Sequence, residues 1–230
     1  MTATFIILSS FAAVKLHLHQ ALPDLIFVLI ILAFVSGICL AINLMGQKTL
    51  YQNYLLINRL YNESITDGLT KLHNKRSFQE EIDRLNAIAT RDNATLDLIL
   101  IDADNFKTIN DSFGHSVGDD VLIKIAEVID AKCRRSEDIG FRIGGDEYAM
   151  ILYGITHESL EQTCFDIVLS VASFNIKHHG KSVKTSVSVG AVLKASNAKI
   201  TCDNLVKIAD DYLYEAKENG RSQYYLKTFQ

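Results

Sequence analysis

Residues 141–150 read Phe-Arg-Ile-Gly-Gly-Asp-Glu-Tyr-Ala-Met, in which a glycine pair and two acids separate two apolar runs. This pattern predicts a β-hairpin with the glycines in its turn. Gly144 and Gly145 can adopt positive φ and admit a ligand close to the backbone, and Asp146 and Glu147 offer the hard oxygen atoms that divalent cations prefer. By itself such a hairpin is most often only a solvated turn, so a ligand site there requires a second observation.

A second acidic motif follows an apolar run at residues 98–101, Leu-Ile-Leu-Ile. The run predicts a buried strand, and Asp-Ala-Asp follows it at once at 102–104. Two like charges about 4 Å apart, at an effective dielectric constant of about 20, repel by about 4 kcal/mol. Such a strand end indicates a cation nearby, and convergence of Asp102 with Asp146 and Glu147 would indicate a bound metal.

Four segments of the chain resemble, in their order and spacing, the GGDEF family of diguanylate cyclases, which condense two GTP into cyclic di-GMP. The segments are 67–76 (Asp-Gly-Leu-Thr-Lys-Leu-His-Asn-Lys-Arg), 102–119, 144–148 and 209–221. The resemblance covers about 165 of the 230 residues. It implies an α+β domain with a palm-like nucleotidyl-cyclase sheet covered by helices.

The hydrophobic periodicity independently predicts alternating helices and strands in this region. One helix face carries Phe78, Ile82, Leu85 and Ala89, and the next carries Val121, Leu122, Ile125 and Ile129. The other expected elements are the hairpin at 139–152, a helix at about 158–174, a strand at 183–193 and a helix at about 202–218 that ends at Asn219-Gly220. This order predicts an antiparallel-containing sheet with helices packed on it.

The resemblance implies a metal-dependent reaction with two Mg²⁺ or Mn²⁺ ions per active site. Asp102, Asp146 and Glu147 match the metal-ligand positions, and Ala103 would contribute its backbone carbonyl. Either Glu147 or Asp146 would take the proton from the attacking 3′-hydroxyl, and the sequence leaves that choice open.

The same resemblance implies the substrate ligands. Asn110 and Asp119 match the positions that bind guanine, and a carboxylate at 119 can accept hydrogen bonds from both guanine N1–H and N2–H₂, which predicts a GTP enzyme. The triphosphate would be bound by Asn105, Phe106, Gly145, Lys217 and Arg221, with Lys107 adding a point charge during catalysis. On spacing alone, Lys217 and Arg221 would be an ordinary cationic helix cap.

Arg135-Ser-Glu-Asp138 ends five residues before Gly144. This is the register in which the family carries an inhibitory product site, so Arg135 and Asp138 are expected to bind cyclic di-GMP. One departure from the family pattern concerns the core: Tyr148 replaces a phenylalanine, and its hydroxyl needs a partner if the ring is buried.

The N-terminal region predicts a membrane anchor. Residues 25–45 contain no charged side chain, and 21 residues at about 1.5 Å each span a bilayer core of about 30 Å. Residues 2–14 are apolar but shorter, and we expect them to form a first pass in a hairpin, although a single pass is the alternative. The expected domains are an anchor (1–45), a helical stalk (46–65) and the catalytic domain (66–230).

The stalk places Leu50, Tyr54, Ile57, Tyr61 and Ser64 at intervals of three and four residues, which favours pairing with a second copy and hence a homodimer. Lys48 and Arg59 closely follow the long apolar segment. They favour a bacterial inner-membrane protein whose catalytic domain is cytoplasmic.

Composition limits the other functional classes. Four cysteines without paired spacing argue against a disulfide framework or a zinc site, and a net charge of −4 gives no reason to expect nucleic-acid binding. The alternatives are a catalytically weak or inactive cyclic di-GMP receptor and a membrane-anchored interaction protein. The sequence contains no Gly-x-x-x-x-Gly-Lys loop, which argues against a GTPase of the P-loop type.

Overall fold

The computed structural model of the protein describes the backbone of residues 2–178 and 181–229. The chain forms two units, Met1–Leu60 and Tyr61–Gln230, which are described separately. Helix α1 spans Thr2–Ile65 and crosses the boundary between the units. The expected limits of the anchor and stalk, at residues 45 and 65, stay predictions.

Helix α1 differs from the expected membrane hairpin. The helix is continuous from Thr2 to Ile65 and contains Pro23, so no turn separates the two apolar segments. Proline removes one helical hydrogen bond, but the apolar helix formers on both sides continue the helix through it. By length and composition, Leu25–Ile57 is the segment within the described residues that could cross a membrane. The side chains of Tyr61 and Ser64 lie outside the described residues.

The second unit is built on a six-stranded sheet with the order β1-β3-β4-β2-β7-β8. Its strands are β1 (His73–Asn74), β2 (Leu96–Ala103), β3 (Ile139–Arg142), β4 (Glu147–Tyr153), β7 (Val187–Lys194) and β8 (Tyr224–Phe229), and a separate hairpin contains β5 (Ile176–His178) and β6 (Lys181–Val183). The central pairs are antiparallel, and both edge strands pair parallel to their neighbours. The predicted α+β class is therefore confirmed.

Five helices cover the sheet: α2 (Lys75–Asp92), α3 (Phe106–Phe113), α4 (His115–Lys132), α5 (His157–Ala172) and α6 (Cys202–Glu218). Helices α4 and α5 contribute to one hydrophobic core cluster, whereas α2 and α6 contribute to a second. Alternate residues of β2 enter the two clusters, since Leu98 and Leu100 belong to one and Ile99 and Ile101 to the other. All eight residues predicted for the faces of α2 and α4 are buried, which confirms the periodicity argument.

The predicted strand at 183–193 is wrong in one respect. Residues 184–186 are irregular and separate β6 from β7.

Helix α6 packs very closely on β7, as shown by Gly190, where a Cβ atom would collide with the backbone of Ala209 and Leu213. This contact holds the C-terminal turn of α6 near the end of β2, where the candidate site lies.

Candidate active site

The acids predicted to bind metal come together at the ends of two adjacent strands. Asp102 in β2 is paired directly with Glu147 in β4, and the Ala103 amide donates to the Asp146 carbonyl oxygen at 3.1 Å. Burial raises the pKa of Asp102, the ammonium of Lys217 opposes that effect, and the charges of Asp146 and Glu147 add to it. The strand pairing therefore brings the three acids to neighbouring positions at one edge of the domain.

The Gly-Gly turn uses its glycines differently from the prediction. Neither Gly144 nor Gly145 has φ in the left-handed region. A Cβ atom at 144 would collide with the end of the Glu147 side chain, which would have to move, whereas the space beside Gly145 is open. The turn is closed by the amides of Ile143 and Gly144, which donate to the Glu147 carbonyl oxygen at 2.9 and 3.2 Å. Gly145 can thus still be approached closely by a ligand.

Lys217 does not lie free for a triphosphate in this structure. Its Nζ atom is 2.8 Å from Oδ2 of Asp102, and the two side chains are 31% and 12% exposed. Among the described side chains, no three His, Cys, Asp or Glu residues are gathered as a metal-binding group. The chemistry of the donors nevertheless fits Mg²⁺ or Mn²⁺, because three carboxylates and the Ala103 carbonyl sit at neighbouring strand ends.

Asp104 has a role that the sequence analysis missed. It is 4% exposed and accepts hydrogen bonds from the hydroxyls of Ser186 and Ser188, both at 2.6 Å, and from the Ser222 amide at 3.0 Å. The carboxylate of the second acid of the Asp-x-Asp motif therefore accepts three hydrogen bonds from the protein. It fastens the end of β2 to β7 and to the loop that follows α6, which carries Arg221.

The phosphate-binding prediction concerns the turn between β2 and α3. Asn105 has φ of +55° and precedes the first helical residue, Phe106. Its carbonyl oxygen accepts from the amides of Thr108 at 2.9 Å and Ile109 at 3.4 Å. Lys107 lies on the exposed first turn of α3. The backbone therefore begins a helix beside Asp102, as the prediction requires.

The two residues predicted to bind guanine lie on neighbouring helices. Asn110 is in α3 and Asp119 is near the start of α4. The Asn110 side chain packs on Gly118, where a Cβ atom would collide with its Oδ1 atom. Gly118 immediately precedes Asp119, so the two predicted residues lie on adjoining parts of α3 and α4.

Tyr148 satisfies its hydroxyl inside the core. The residue is 0% exposed, and its hydroxyl donates to the Leu122 carbonyl oxygen at 2.9 Å. Burial is the main reason that the pKa of Tyr148 is raised. The prediction that this hydroxyl needs a partner is confirmed, and the partner lies in α4.

Arg135 and Asp138 line a cavity of about 370 Å³ together with two cations, Lys132 and Arg134, and two acids, Glu158 and Asp166. Asp138 Oδ2 accepts from the amides of Arg134 at 3.2 Å and Arg135 at 3.1 Å. The Arg135 guanidinium donates to the Tyr153 carbonyl oxygen at 3.0 Å. The predicted inhibitory pair therefore faces one cavity of mixed charge, separate from the acids of the Gly-Gly turn.

Residues 64–223 match the family model described as diguanylate cyclase, GGDEF domain. The chain is 35% identical over 164 residues to the probable diguanylate cyclase DgcI of Escherichia coli, a match that covers 71% of this chain and 34% of DgcI. It is 33% identical over 171 residues to an uncharacterised membrane protein of Staphylococcus saprophyticus, which covers 74% of this chain and 48% of that protein. The chain thus spans about a third to a half of the length of these relatives.

The fold is similar to the crystal structure of the coiled coil and GGDEF domain of DgcB from Caulobacter crescentus in complex with cyclic di-GMP. The TM-score is 0.73 at 27% identity, and the match covers 80% of this chain and 95% of that one. Because the family model covers more than half of the sequence, the chain belongs to the GGDEF family.

Proposed function

We propose that the domain is a diguanylate cyclase that condenses two GTP into cyclic di-GMP and two pyrophosphates. The observation that carries this proposal is the pairing of Asp102 with Glu147 at adjacent strand ends, on the same domain as the neighbouring Asn110 and Asp119. The first group of residues suits phosphoryl transfer and the second suits guanine recognition. A protein that only bound cyclic di-GMP at Arg135 would need neither.

In the proposed reaction, the 3′-oxygen of one GTP bonds to the α-phosphorus of the other, and the bond to the pyrophosphate oxygen breaks. Glu147 or Asp146 takes the proton from the 3′-hydroxyl, and a second, symmetric attack closes the ring. Bound Mg²⁺ or Mn²⁺, two ions per site in this proposal, would neutralise the triphosphate and align it for attack.

The remaining residues position the substrate. Asn110 and Asp119 orient guanine. The amides at Asn105 and Phe106 and the open backbone at Gly145 bind the phosphates together with three cations, Lys107, Lys217 and Arg221. Phosphoryl transfer depends mainly on such alignment and charge neutralisation.

The reaction joins two nucleotides, and we propose that each comes from one copy of a homodimer. The helical segment 46–65 within α1 supports this proposal, because Leu50, Tyr54 and Ile57 expose apolar side chains there. The apolar segment Leu25–Ile57 supports attachment to the bacterial inner membrane, and Lys48 and Arg59 support a domain in the cytoplasm. The cavity at Arg135 and Asp138 is proposed to bind the product and inhibit the enzyme.

The test is to incubate the detergent-solubilised full chain with GTP and Mg²⁺ and to detect cyclic di-GMP by mass spectrometry. We expect product from the parent protein and none from Glu147→Ala. The matched control is Glu127→Ala, which removes an exposed acid of α4 and should leave product formation unchanged. Absence of product from a folded, dimeric parent would contradict the cyclase and favour the receptor, with cyclic di-GMP binding at Arg135 measured next.

A further inference from the structure

We propose that Lys217 is an internal counter-ion for the metal site: it pairs with Asp102 when no nucleotide is bound and moves to the triphosphate when metal and GTP bind. The inference rests on the proposed function and adds a coupling between the two ligands. It follows from the 2.8 Å contact between Lys217 Nζ and Asp102 Oδ2. In that contact Lys217, a proposed ligand of the triphosphate, forms an ion pair with Asp102, a proposed ligand of the metal.

The first argument is electrostatic. Asp102 is buried at the point where the charges of Asp146 and Glu147 also act on it. Without a cation these carboxylates would repel one another, and partial burial reduces screening by solvent. Lys217 supplies one positive charge at this point, so it stabilises the domain when no metal is present.

The second argument is geometric. A divalent cation on Asp102 would lie about 2.1 Å from a carboxylate oxygen. With Lys217 still 2.8 Å from the same carboxylate, two cations would be only a few ångströms apart and would repel. This repulsion weakens metal binding at Asp102 for as long as the ammonium of Lys217 stays on the carboxylate, so metal binding favours its departure.

The third argument concerns what moves. Helix α6 packs closely on β7 at Gly190, against the backbone of Ala209 and Leu213, and Lys217 lies one helical turn after Leu213. Its flexible four-carbon stem can carry the ammonium away from Asp102. Triphosphate offers that ammonium a new anionic partner, so GTP lowers the free-energy cost of metal binding, and metal does the same for GTP.

Arg221 provides the matched comparison. It lies in the loop after α6 and is exposed, and no ion pair joins it to Asp102 among the described residues. Both cations are proposed to bind triphosphate. Lys217 alone is proposed to compete with the metal.

The experiment measures Mn²⁺ binding to the nucleotide-free full chain by electron paramagnetic resonance. We expect Lys217→Met to bind Mn²⁺ about tenfold more tightly than the parent, within the usual range of coupling between sites. Arg221→Met should match the parent, and Lys217→Arg, which keeps the charge, should remain weak. The same measurement is repeated with 3′-deoxy-GTP, which lacks the attacking 3′-hydroxyl. The increase in Mn²⁺ affinity that this nucleotide causes should be about tenfold larger in the parent than in Lys217→Met.

Asp102→Asn separates the two possible failures. If Asp102→Asn loses Mn²⁺ binding but Lys217→Met binds Mn²⁺ no more tightly than the parent, the counter-ion proposal is wrong and the metal site stands. If Asp102→Asn binds Mn²⁺ as the parent does, the metal is bound elsewhere and the proposed active site is wrong as well. The thermal unfolding of each variant, measured without metal, shows whether it is folded.

Discussion

Arg142 and Asp67 form an ion pair, with Arg142 Nη1 at 3.0 Å from Asp67 Oδ1 and side-chain exposures of 13% and 24%. The same guanidinium donates to the Gly145 carbonyl oxygen through Nη2 at 2.7 Å and Nε at 3.2 Å. Asp67 lies two residues after the end of α1 at Ile65. One side chain therefore links the entry of the domain to the Gly-Gly turn.

Asp67→Asn should lower stability in a pH-dependent way. Burial by itself would raise the pKa of Asp67, but hydrogen bonds from Thr70 and Arg142 and the Arg142 charge lower it below its ordinary value of 3.8. Because the folded pKa is depressed, the stabilisation is present above the unfolded pKa and is lost as pH falls through the folded value. We expect a loss of about 1–2 kcal/mol at pH 7, with the difference from the parent shrinking towards pH 3, in urea unfolding.

Asp97→Asn should remove a pH dependence of the opposite sign, in which the parent protein loses stability as pH rises. Asp97 is 0% exposed in β2, and burial raises its pKa to about 8, although Thr95 and the backbone of Ile155 act in the opposite direction. Since the folded pKa is raised, stability is lost as pH rises from the unfolded pKa to the folded one, by about 1.4 kcal/mol per pH unit. Urea unfolding from pH 5 to 8 should show this slope in the parent and a flatter profile in Asp97→Asn. Equal slopes would contradict the assignment.

Gly118→Ala should weaken GTP binding without unfolding the domain. The added Cβ collides with the end of the Asn110 side chain and lies 3.2 Å from Phe106 Cζ, so the amide has to move. We expect KM for GTP to rise about tenfold, as for one misplaced hydrogen bond, and thermal stability to change little. Asn110→Ala should give a similar rise, and the double variant should show no further increase because both changes remove one contact. Additive effects would show that Gly118 acts separately from Asn110.

Asp119→Ser should relax base selectivity. A serine hydroxyl cannot accept from guanine N1–H and N2–H₂ as a carboxylate does, so the penalty for binding ATP should fall. We expect the GTP-over-ATP ratio of kcat/KM to drop about a hundredfold. Asp120→Ser, at the adjacent exposed position, is the control. A GTP preference that is unchanged in Asp119→Ser would refute the assignment.

Arg135→Ala should abolish product inhibition. The change removes a guanidinium from the cavity that Lys132 and Arg134 also line. Progress curves should stay linear as cyclic di-GMP accumulates, whereas those of the parent should bend. Arg76→Ala removes an exposed arginine that is paired with Glu80, and it should keep the inhibition. Inhibition that persists in Arg135→Ala would place the product elsewhere.

Local pattern was sufficient to predict several elements. The apolar run before Asp102 became β2, the Gly-Gly segment became the β3–β4 hairpin, and the helix ending at Glu218 has the predicted bounds. These elements have strong periodicity or a clear terminal signal. Strand β1 has only two residues, which is too short for any periodic pattern.

The interactions missed at the site join residues that are far apart in the chain. Ser222 donates to Asp104 across 118 positions, and Arg142 pairs with Asp67 across 75. Such contacts depend on which strands become neighbours, and β7 and β8 occupy one side of β2 only after the whole chain has folded. Hydrophobic periodicity indicates whether a residue is buried, but not which residue it contacts. The sequence therefore could not show that Asp102 pairs with Lys217 while Asp104 accepts hydrogen bonds from three serines.

The hydrogen bond from Tyr148 to the Leu122 carbonyl oxygen has a consequence for substrate alignment. Tyr148 follows Glu147 directly in the chain, and Leu122 lies one helical turn after Asp119. The spacing between Glu147, which we propose binds metal, and Asp119, which we propose binds the base, is thus tied to a buried contact between their neighbours. Substitution of the residues that contact GTP would change how tightly the nucleotide is bound. Substitution of Tyr148 would instead change the distance between the residues proposed to bind the base and those proposed to act at the phosphates.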